Sequence, residues 1–324
     1  MNRVLPRGSG VSLAAIALVA AVVALRGQEQ AAIYVFVVDR SGVPLLQIAP
    51  SDLAIQEDAG RASIVSVRRF GWPLKVTVLL DNGPRTTDSL VHYRTGLKRF
   101  FAGLPKNVPV SLIATAPNPR WLIREATDPV QIERAVNLIT PDQGLARFSD
   151  ALIEYADRLD EEFRRVSKEQ MPPYLPVLVS IATTHQDGSE VTRQSSLKML
   201  TSLRQHLVWT HMIMVSPVRA TNVAGGLPIL DSDEGQNAEI AKGVQEVTGG
   251  RYVPVTGSGT SALMSTILPE LAQSISARYI RQMTQHRVVL DRAAGAKGPM
   301  RNVAVSLFGH EGARIAISAD GSMP

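Results

Sequence analysis

The stretch Leu74-Lys75-Val76-Thr77-Val78-Leu79-Leu80, followed by Asp81-Asn82-Gly83-Pro84-Arg85, decides how the rest of the chain is read. Its near-continuous apolar character is that of a strand buried on both faces, because a strand with one wet face alternates. A carboxylate and a Gly-Pro turn close it. Leu90, Tyr93, Leu97, Phe100, Phe101 and Leu104 then recur at helical spacing, so a helix is expected from about Asp88. A buried strand that passes through a polar turn into an amphipathic helix is the repeating unit of an α/β sheet.

The same alternation continues toward the C-terminus. Val108–Thr115 reads as a strand and Trp121–Ile123 as a short one. Pro129–Ile139 reads as a helix with Asp128 as its cap and proline at its first position. Phe148–Lys168 carries Leu152, Ala156, Leu159, Phe163 and Val166 on one stripe, and its many acids and arginines read as a solvated face. Strands at Val177–Ala182, Val208–Val215 and Arg251–Val255 alternate with helices at Ser195–Gln205, Ala238–Thr248 and Ser261–Arg281. The expected fold class is α/β, a Rossmann-like doubly wound sheet over residues 73–281.

Two β pieces flank it. Residues 33–72 hold runs at Ile33–Asp39, Leu53–Gln56 and Ile64–Phe70, with a turn at Arg40-Ser41-Gly42-Val43-Pro44. This small β unit cannot bury much core alone and is expected to pack on the neighbouring α/β region. Residues 282–324 form a β tail with short runs at Arg287–Leu290, Asn302–Leu307 and Arg314–Ser318.

Before them, Met1–Gly10 carries Arg3 and Arg7 without an acid, and Val11–Leu25 is an apolar run of fifteen. That is signal-peptide length, short of the roughly 20 residues of a spanning helix. Residues 1–28 are therefore expected to be a signal peptide, with an uncleaved N-terminal anchor as the alternative. Export follows, to the periplasm, the cell envelope or the medium, with the membrane touched only through an uncleaved segment. Without Arg3, Arg7 and Arg26, the 34 basic and 29 acidic residues leave an excess of only two, so a nucleic-acid partner is not expected. The absence of cysteine excludes a thiol nucleophile, a cysteine metal site and a disulfide scaffold.

Other chemistry finds little support. Gly257-Ser258-Gly259-Thr260-Ser261-Ala262 opens a helix after a strand, as a dinucleotide loop does, but it lies in the last such unit and lacks a following acidic strand end. A nucleotide-using enzyme is the least favoured alternative. His206 and His211, and His185 with Asp187, lack a third ligand for zinc and read as surface or strand-end residues. No Gly-x-Ser-x-Gly elbow is present, and no catalytic set can be assigned.

Several motifs stand in a telling order: Val37-Val38-Asp39-Arg40-Ser41-Gly42-Val43-Pro44, the Asp81 turn, Ser149-Asp150-Ala151-Leu152, Val247-Thr248-Gly249-Gly250-Arg251-Tyr252 and Ala277-Arg278-Tyr279 before Arg301-Asn302-Val303-Ala304-Val305. In this order they resemble the von Willebrand factor A domain, and more narrowly an exported bacterial family of acidobacterial type. The resemblance implies a protein-binding or adhesion module whose Asp-x-Ser-x-Ser, threonine and Asp-Gly residues hold Mg²⁺ in a metal-ion-dependent adhesion site.

Here Asp81 is the only retained ligand position. Gly83 and Arg85 stand at the serine places, and Ala146 (Leu145 or Gly144 if the loop slips) stands at the threonine place. Thr183-Thr184-His185 stands for Asp-Gly, with Asp187-Gly188 as a displaced acidic turn. The site thus reads as degenerate and no cofactor is expected, Mg²⁺ being the lesser alternative. Arg85 is expected either to replace the metal's charge beside Asp81 or, preferably, to lie in solvent. The reading is a metal-independent interaction module, not an enzyme, for an unidentified protein partner. Its loops are 81–88, 142–149 and 183–190, with Asp81, Arg85, Thr86, Thr183 and Asp187 as candidate partner-binding residues. The alternative is a structural subunit of an envelope complex that binds through its β unit.

Overall fold

A computed structural model describes residues 30–57, 60–166, 173–184, 187–216, 236–256, 260–292, 300 and 302–318. The N-terminal segment 1–28, His185 and the 257–259 loop lie outside these residues. The contacts divide the chain into two units, one formed by residues up to Phe70 together with those from Gln282 onward, the other by Gly71–Arg281.

In chain order the strands of the first part are β1 (Gln30–Val38), β2 (Leu53–Glu57) and β3 (Gly60–Arg69). The α/β unit follows with β4 (Leu74–Leu80), α1 (Leu90–Ala102), β5 (Val110–Ala114), β6 (Arg120–Ala126), α2 (Pro129–Asn137) and α3 (Phe148–Arg164). It continues with β7 (Leu175–Thr183), α4 (Arg193–Gln205), β8 (Trp209–Ser216), α5 (Gln236–Thr248), β9 (Tyr252–Thr256) and α6 (Thr260–Gln282). The last strands are β10 (His286–Asp291), β11 (Ala304–Leu307) and β12 (Arg314–Ser318).

The two outer β pieces are one sheet. Its order is β11-β2-β3-β10-β1-β12, every pair antiparallel. β10 lies between β3 and β1, so the tail supplies the strand that closes the N-terminal pieces into a core. Ile33, Val35, Val37, Leu53, Ile55, Val288 and Leu290 fill that core. The small unit therefore takes its missing apolar partner from the far end of the sequence. A buried ion pair joins Glu57 to Arg292 within it, each side chain 4% exposed. At the β1 end, the Asp39 carboxylate accepts from the Ser41 and Val43 amides at 2.8 Å and shapes the predicted turn.

The second sheet has the order β6-β5-β4-β7-β8-β9, parallel except for the antiparallel edge strand β6. β4 and β7 occupy the middle, which explains why Leu74–Leu80 and Leu175–Thr183 are almost wholly buried. Asp128 caps α2 by accepting from the Val130 amide at 3.0 Å. The Thr-Gly-Gly-Arg motif is dictated by sterics. Gly249 takes a left-handed φ of +68° after α5, and a Cβ on Gly250 would lie 1.5 Å from the Thr210 carbonyl oxygen of β8.

The α3 charge run is not all solvated face. Glu162 is half-buried, with Lys75 at 2.8 Å, and Asp160 accepts from Ser202 Oγ at 2.7 Å beside His206. These contacts tie α3 to β4 and α4, so the helix is fixed by polar as well as apolar contacts. Others, such as Glu161 and Arg165, do face water.

Candidate functional site

In an open α/β sheet the crevice lies at the carboxyl ends of the strands where the chain order reverses. Here that point falls between β4 and β7, with Leu80 opposite Ile181. Asp81 and Thr183 are delivered to it by adjacent strand ends, and the Asp81 amide donates to the Ile181 carbonyl at 2.8 Å.

Asp81 is 4% exposed. Its Oδ1 accepts from the Gly83 amide at 2.8 Å, and its Oδ2 accepts from Thr183 Oγ1 at 2.7 Å and the Thr183 amide at 3.3 Å. Both carboxylate oxygens are thus engaged by protein donors, as a buried charge requires. Burial first, then the Asp81 charge, pushes the Tyr93 phenol well above its ordinary range and keeps it protonated.

Asn82, fully buried, sutures the surrounding loops. Its Nδ2 donates to Thr140 O at 3.0 Å, its Oδ1 accepts from the Ala116 amide at 3.0 Å, and its carbonyl accepts from the Asp142 amide at 2.8 Å. Sequence reasoning missed it. A fully buried asparagine can use several donor and acceptor positions at once, and only the spatial meeting of three loops reveals that use.

The five candidate residues separate by exposure. Thr86 is buried and turns inward, its Oγ1 donating to Gly83 O at 2.8 Å, so it shapes the turn rather than facing a partner. Thr183 is equally buried against Asp81. Arg85 is exposed and forms no ion pair with Asp81, which corrects the alternative in which it replaces the metal's charge. The physical reason is that Thr183 and Gly83 already fill the carboxylate, while the guanidinium keeps its water.

Asp187, half-buried, is a helix cap. Its Oδ1 accepts from the Phe148 amide and its Oδ2 from the Ser149 amide, both at 2.9 Å. Ser189 Oγ donates to the same carboxylate at 2.9 Å and accepts from the Asp150 amide at 3.0 Å. A carboxylate at the positive end of α3 satisfies amides that no helical carbonyl can reach. Burial, and then the Asp187 charge opposing the pull of Arg147, raises the Asp150 carboxyl above its usual range. Asp187→Ala is expected to cost about 1–2 kcal/mol in a urea denaturation series, the magnitude of a lost cap.

The donor set does not fit a small hard cation, which asks for near-octahedral oxygen. Gly83 and Ala146 bring no side-chain oxygen, and Arg85 brings a cation. Asp187 is committed to helix amides, and the Asp81 oxygens to Gly83 and Thr183. Among the described residues no group of three His, Asp or Glu could hold a metal.

The two histidines differ from the surface reading. His206 is 7% exposed and stands 2.8 Å from Asp160, and His211 is 6% exposed within the sheet. Strand β8 is covered on both faces, which a short run with a single histidine does not announce.

No family model matches the chain, and no curated protein matches it. Among solved structures it is similar to the conserved hypothetical protein BatB from Bacteroides thetaiotaomicron, at 15% identity over 63% of this chain and 98% of that one, with a TM-score of 0.42. An aerotolerance-related membrane protein from Bacteroides fragilis is similar at 13% identity over 62% of this chain and 99% of that one, TM-score 0.41. A von Willebrand factor type A protein from Catenulispora acidiphila is similar at 8% identity over 91% of this chain and 74% of that one, TM-score 0.47. The strand order and the site's place at the switch point carry the assignment of the fold. The Gly71–Arg281 unit is a doubly wound α/β sheet with one antiparallel edge strand, consistent with a fold of von Willebrand factor A type. It is the fold class that the motif order implies, and its Asp81 carboxylate is closed by hydrogen bonds from Gly83 and Thr183.

Proposed function

We propose that this chain is an exported, non-catalytic protein-interaction module that binds its partner at the carboxyl end of the α/β sheet without a metal ion. The observation that carries this reading is the closed Asp81 carboxylate beneath an exposed rim. Asp81, Asn82, Thr86 and Thr183 are buried and lock the loops, whereas Arg85 and Leu145 project outward, the latter 46% exposed. A loop platform that turns Arg85 and Leu145 outward, with Asp88 and Glu190 also exposed, suits a partly apolar protein surface of mixed charge. Fold alone would not support a function, since one architecture serves many.

The test uses the full chain as bait in its own cells, with cross-linking and paired controls. Arg85→Glu with Leu145→Asp is expected to remove the specific partner by at least about tenfold, the scale of a reversed rim charge and a lost apolar contact. EDTA is expected to leave capture unchanged. Loss of capture with EDTA, or full capture by the double variant, would overturn the reading. In the same account, Mg²⁺ and EDTA leave the melting temperature of the purified chain unchanged, because a ligand stabilises only the state it binds.

Export is part of the proposal and rests on residues 1–28. Among the described residues no helix is long and apolar enough to cross a membrane. Fractionation of cells expressing a C-terminally tagged chain is expected to place it outside the cytoplasm, and deletion of residues 2–28 to return it there.

A further inference from the structure

Arg94 and Lys98 tie α1 to α2. Arg94 Nε donates to the Ile139 carbonyl at 2.9 Å, and Lys98 Nζ lies 2.9 Å from a Glu133 carboxylate oxygen. Residue numbers rise along one helix as they fall along the other, so the pair runs antiparallel. Arg94, Lys98 and Ala102 recur at a spacing of four and share one face of α1. At Ala102 the ties stop. A methyl group there and the short ring of Pro129, which opens α2, cannot bridge the two helices. Beside them lies a cavity of about 320 Å³.

Leu104, Val108, Val110 and Val136 form its floor, none of them more than 9% exposed. Phe101 and Ile132, half-buried, line its sides. None of the buried side chains that line it is polar. Its charges stand at the rim and do not balance. Lys98 is answered by Glu133, whereas Lys106, exposed, pairs with no acid among the described residues. Asn107, at a left-handed φ of +63°, turns the chain between the Lys106 rim and the Val108 floor. The result is an apolar cup with one unanswered ammonium at its mouth.

We propose that this cavity binds a medium-chain alkyl carboxylate, its tail in the cup and its carboxylate at Lys106. The lining dictates the tail, because a polar group set on the floor would find no partner there. The volume sets its length. At about 30 Å³ per heavy atom the cavity holds about ten, the size of an eight-carbon acid. The rim sets the charge. Two lysines against one glutamate leave a single positive charge, which a monoanion matches and an amine opposes. The cavity lies at the amino end of β5, and β5 runs parallel to β4, whose carboxyl end delivers Asp81. It is therefore at the other end of the sheet from the proposed partner surface and independent of it.

The test is isothermal titration calorimetry of the full chain with straight-chain carboxylates from butanoate to dodecanoate, at constant ionic strength and below micelle formation. The expected result is saturable binding that tightens about fourfold per methylene up to about eight carbons and then levels, as burial in a cavity of fixed size requires. Octylamine, with the same tail and the opposite charge, is expected to bind at least about tenfold weaker than octanoate. Lys106→Gln is expected to weaken octanoate about fivefold, the upper end for an exposed ion pair, and to leave 1-octanol unchanged. Thr127→Trp, a large ring at an exposed lining position, is expected to abolish octanoate binding while the melting temperature of the free chain holds. Octylamine binding as tightly as octanoate, affinity that climbs evenly through dodecanoate, or octanoate binding unchanged in Thr127→Trp would overturn the proposal.

Discussion

Replacing Asp81 with alanine is expected to destabilise the α/β unit by about 3 kcal/mol, read as a lower urea midpoint at unchanged slope. The carboxylate accepts three hydrogen bonds in a site where it is 4% exposed. Its removal leaves the Thr183 hydroxyl and the Gly83 amide without an acceptor and opens a small void between β4 and β7. Each buried polar group deprived of its partner costs about 1–3 kcal/mol. The sign separates two views of the residue. A carboxylate kept for a metal is a liability when the metal is gone, so its removal would be neutral or stabilising in EDTA. A carboxylate kept for Thr183 and Gly83 makes the loss the same in EDTA and in Mg²⁺. Thr183→Val, which removes one donor and keeps the shape, is expected to cost about half as much, since it leaves a buried charge with fewer hydrogen bonds.

The second large effect is on pH dependence. His211 has its pKa lowered from the ordinary 6.5 to about 4. Between these values the unfolded chain binds a proton that the folded chain refuses, so stability rises with pH across that window. The contribution of neutral His211 is complete above about pH 6.5 and is lost as the pH falls to about 4. The gap of about 2.5 units corresponds to about 3 kcal/mol. Carboxylates also titrate in this range, so the measurement is a comparison. Between pH 7 and pH 4 the wild-type chain is expected to lose about 3 kcal/mol more stability than His211→Leu, in urea denaturation at fixed ionic strength. An equal loss in the two would place His211 in contact with water.

Much of the fold could be read from the chain because its signals are local. The uninterrupted apolar runs of β4 and β7 announce strands buried on both faces, and the Leu152–Leu159–Phe163 stripe announces α3. The union of the two outer β pieces could not be read. Pairs such as Val35 with His286 and Ile55 with Ala62 look alike in sequence, yet one closes across about 250 residues and the other across seven. Residues 33–72 showed only that they lacked a core, not where it came from.

At the site, that Gly83, Arg85 and Ala146 supply no side-chain oxygen is plain from residue type alone. What engages the Asp81 carboxylate was not plain. Thr183 stands where an acid was expected, and only the adjacent strand ends show that its hydroxyl meets Asp81. Asp187 carries the expected charge, but the positive end of α3 claims it. Arg85 and Leu145 remain as the outward chemistry; the solvent position of Arg85 is the one its place in the turn predicts, whereas Leu145 was legible only as a member of its loop.

The most direct test of the closed site is a crystal structure grown in Mn²⁺, with anomalous scattering read at Asp81. The expected result is no peak there, with Thr183 Oγ1 within hydrogen-bond distance of Asp81 Oδ2 and Arg85 in solvent. An octahedral ion on Asp81, with Thr183 turned away, would contradict it.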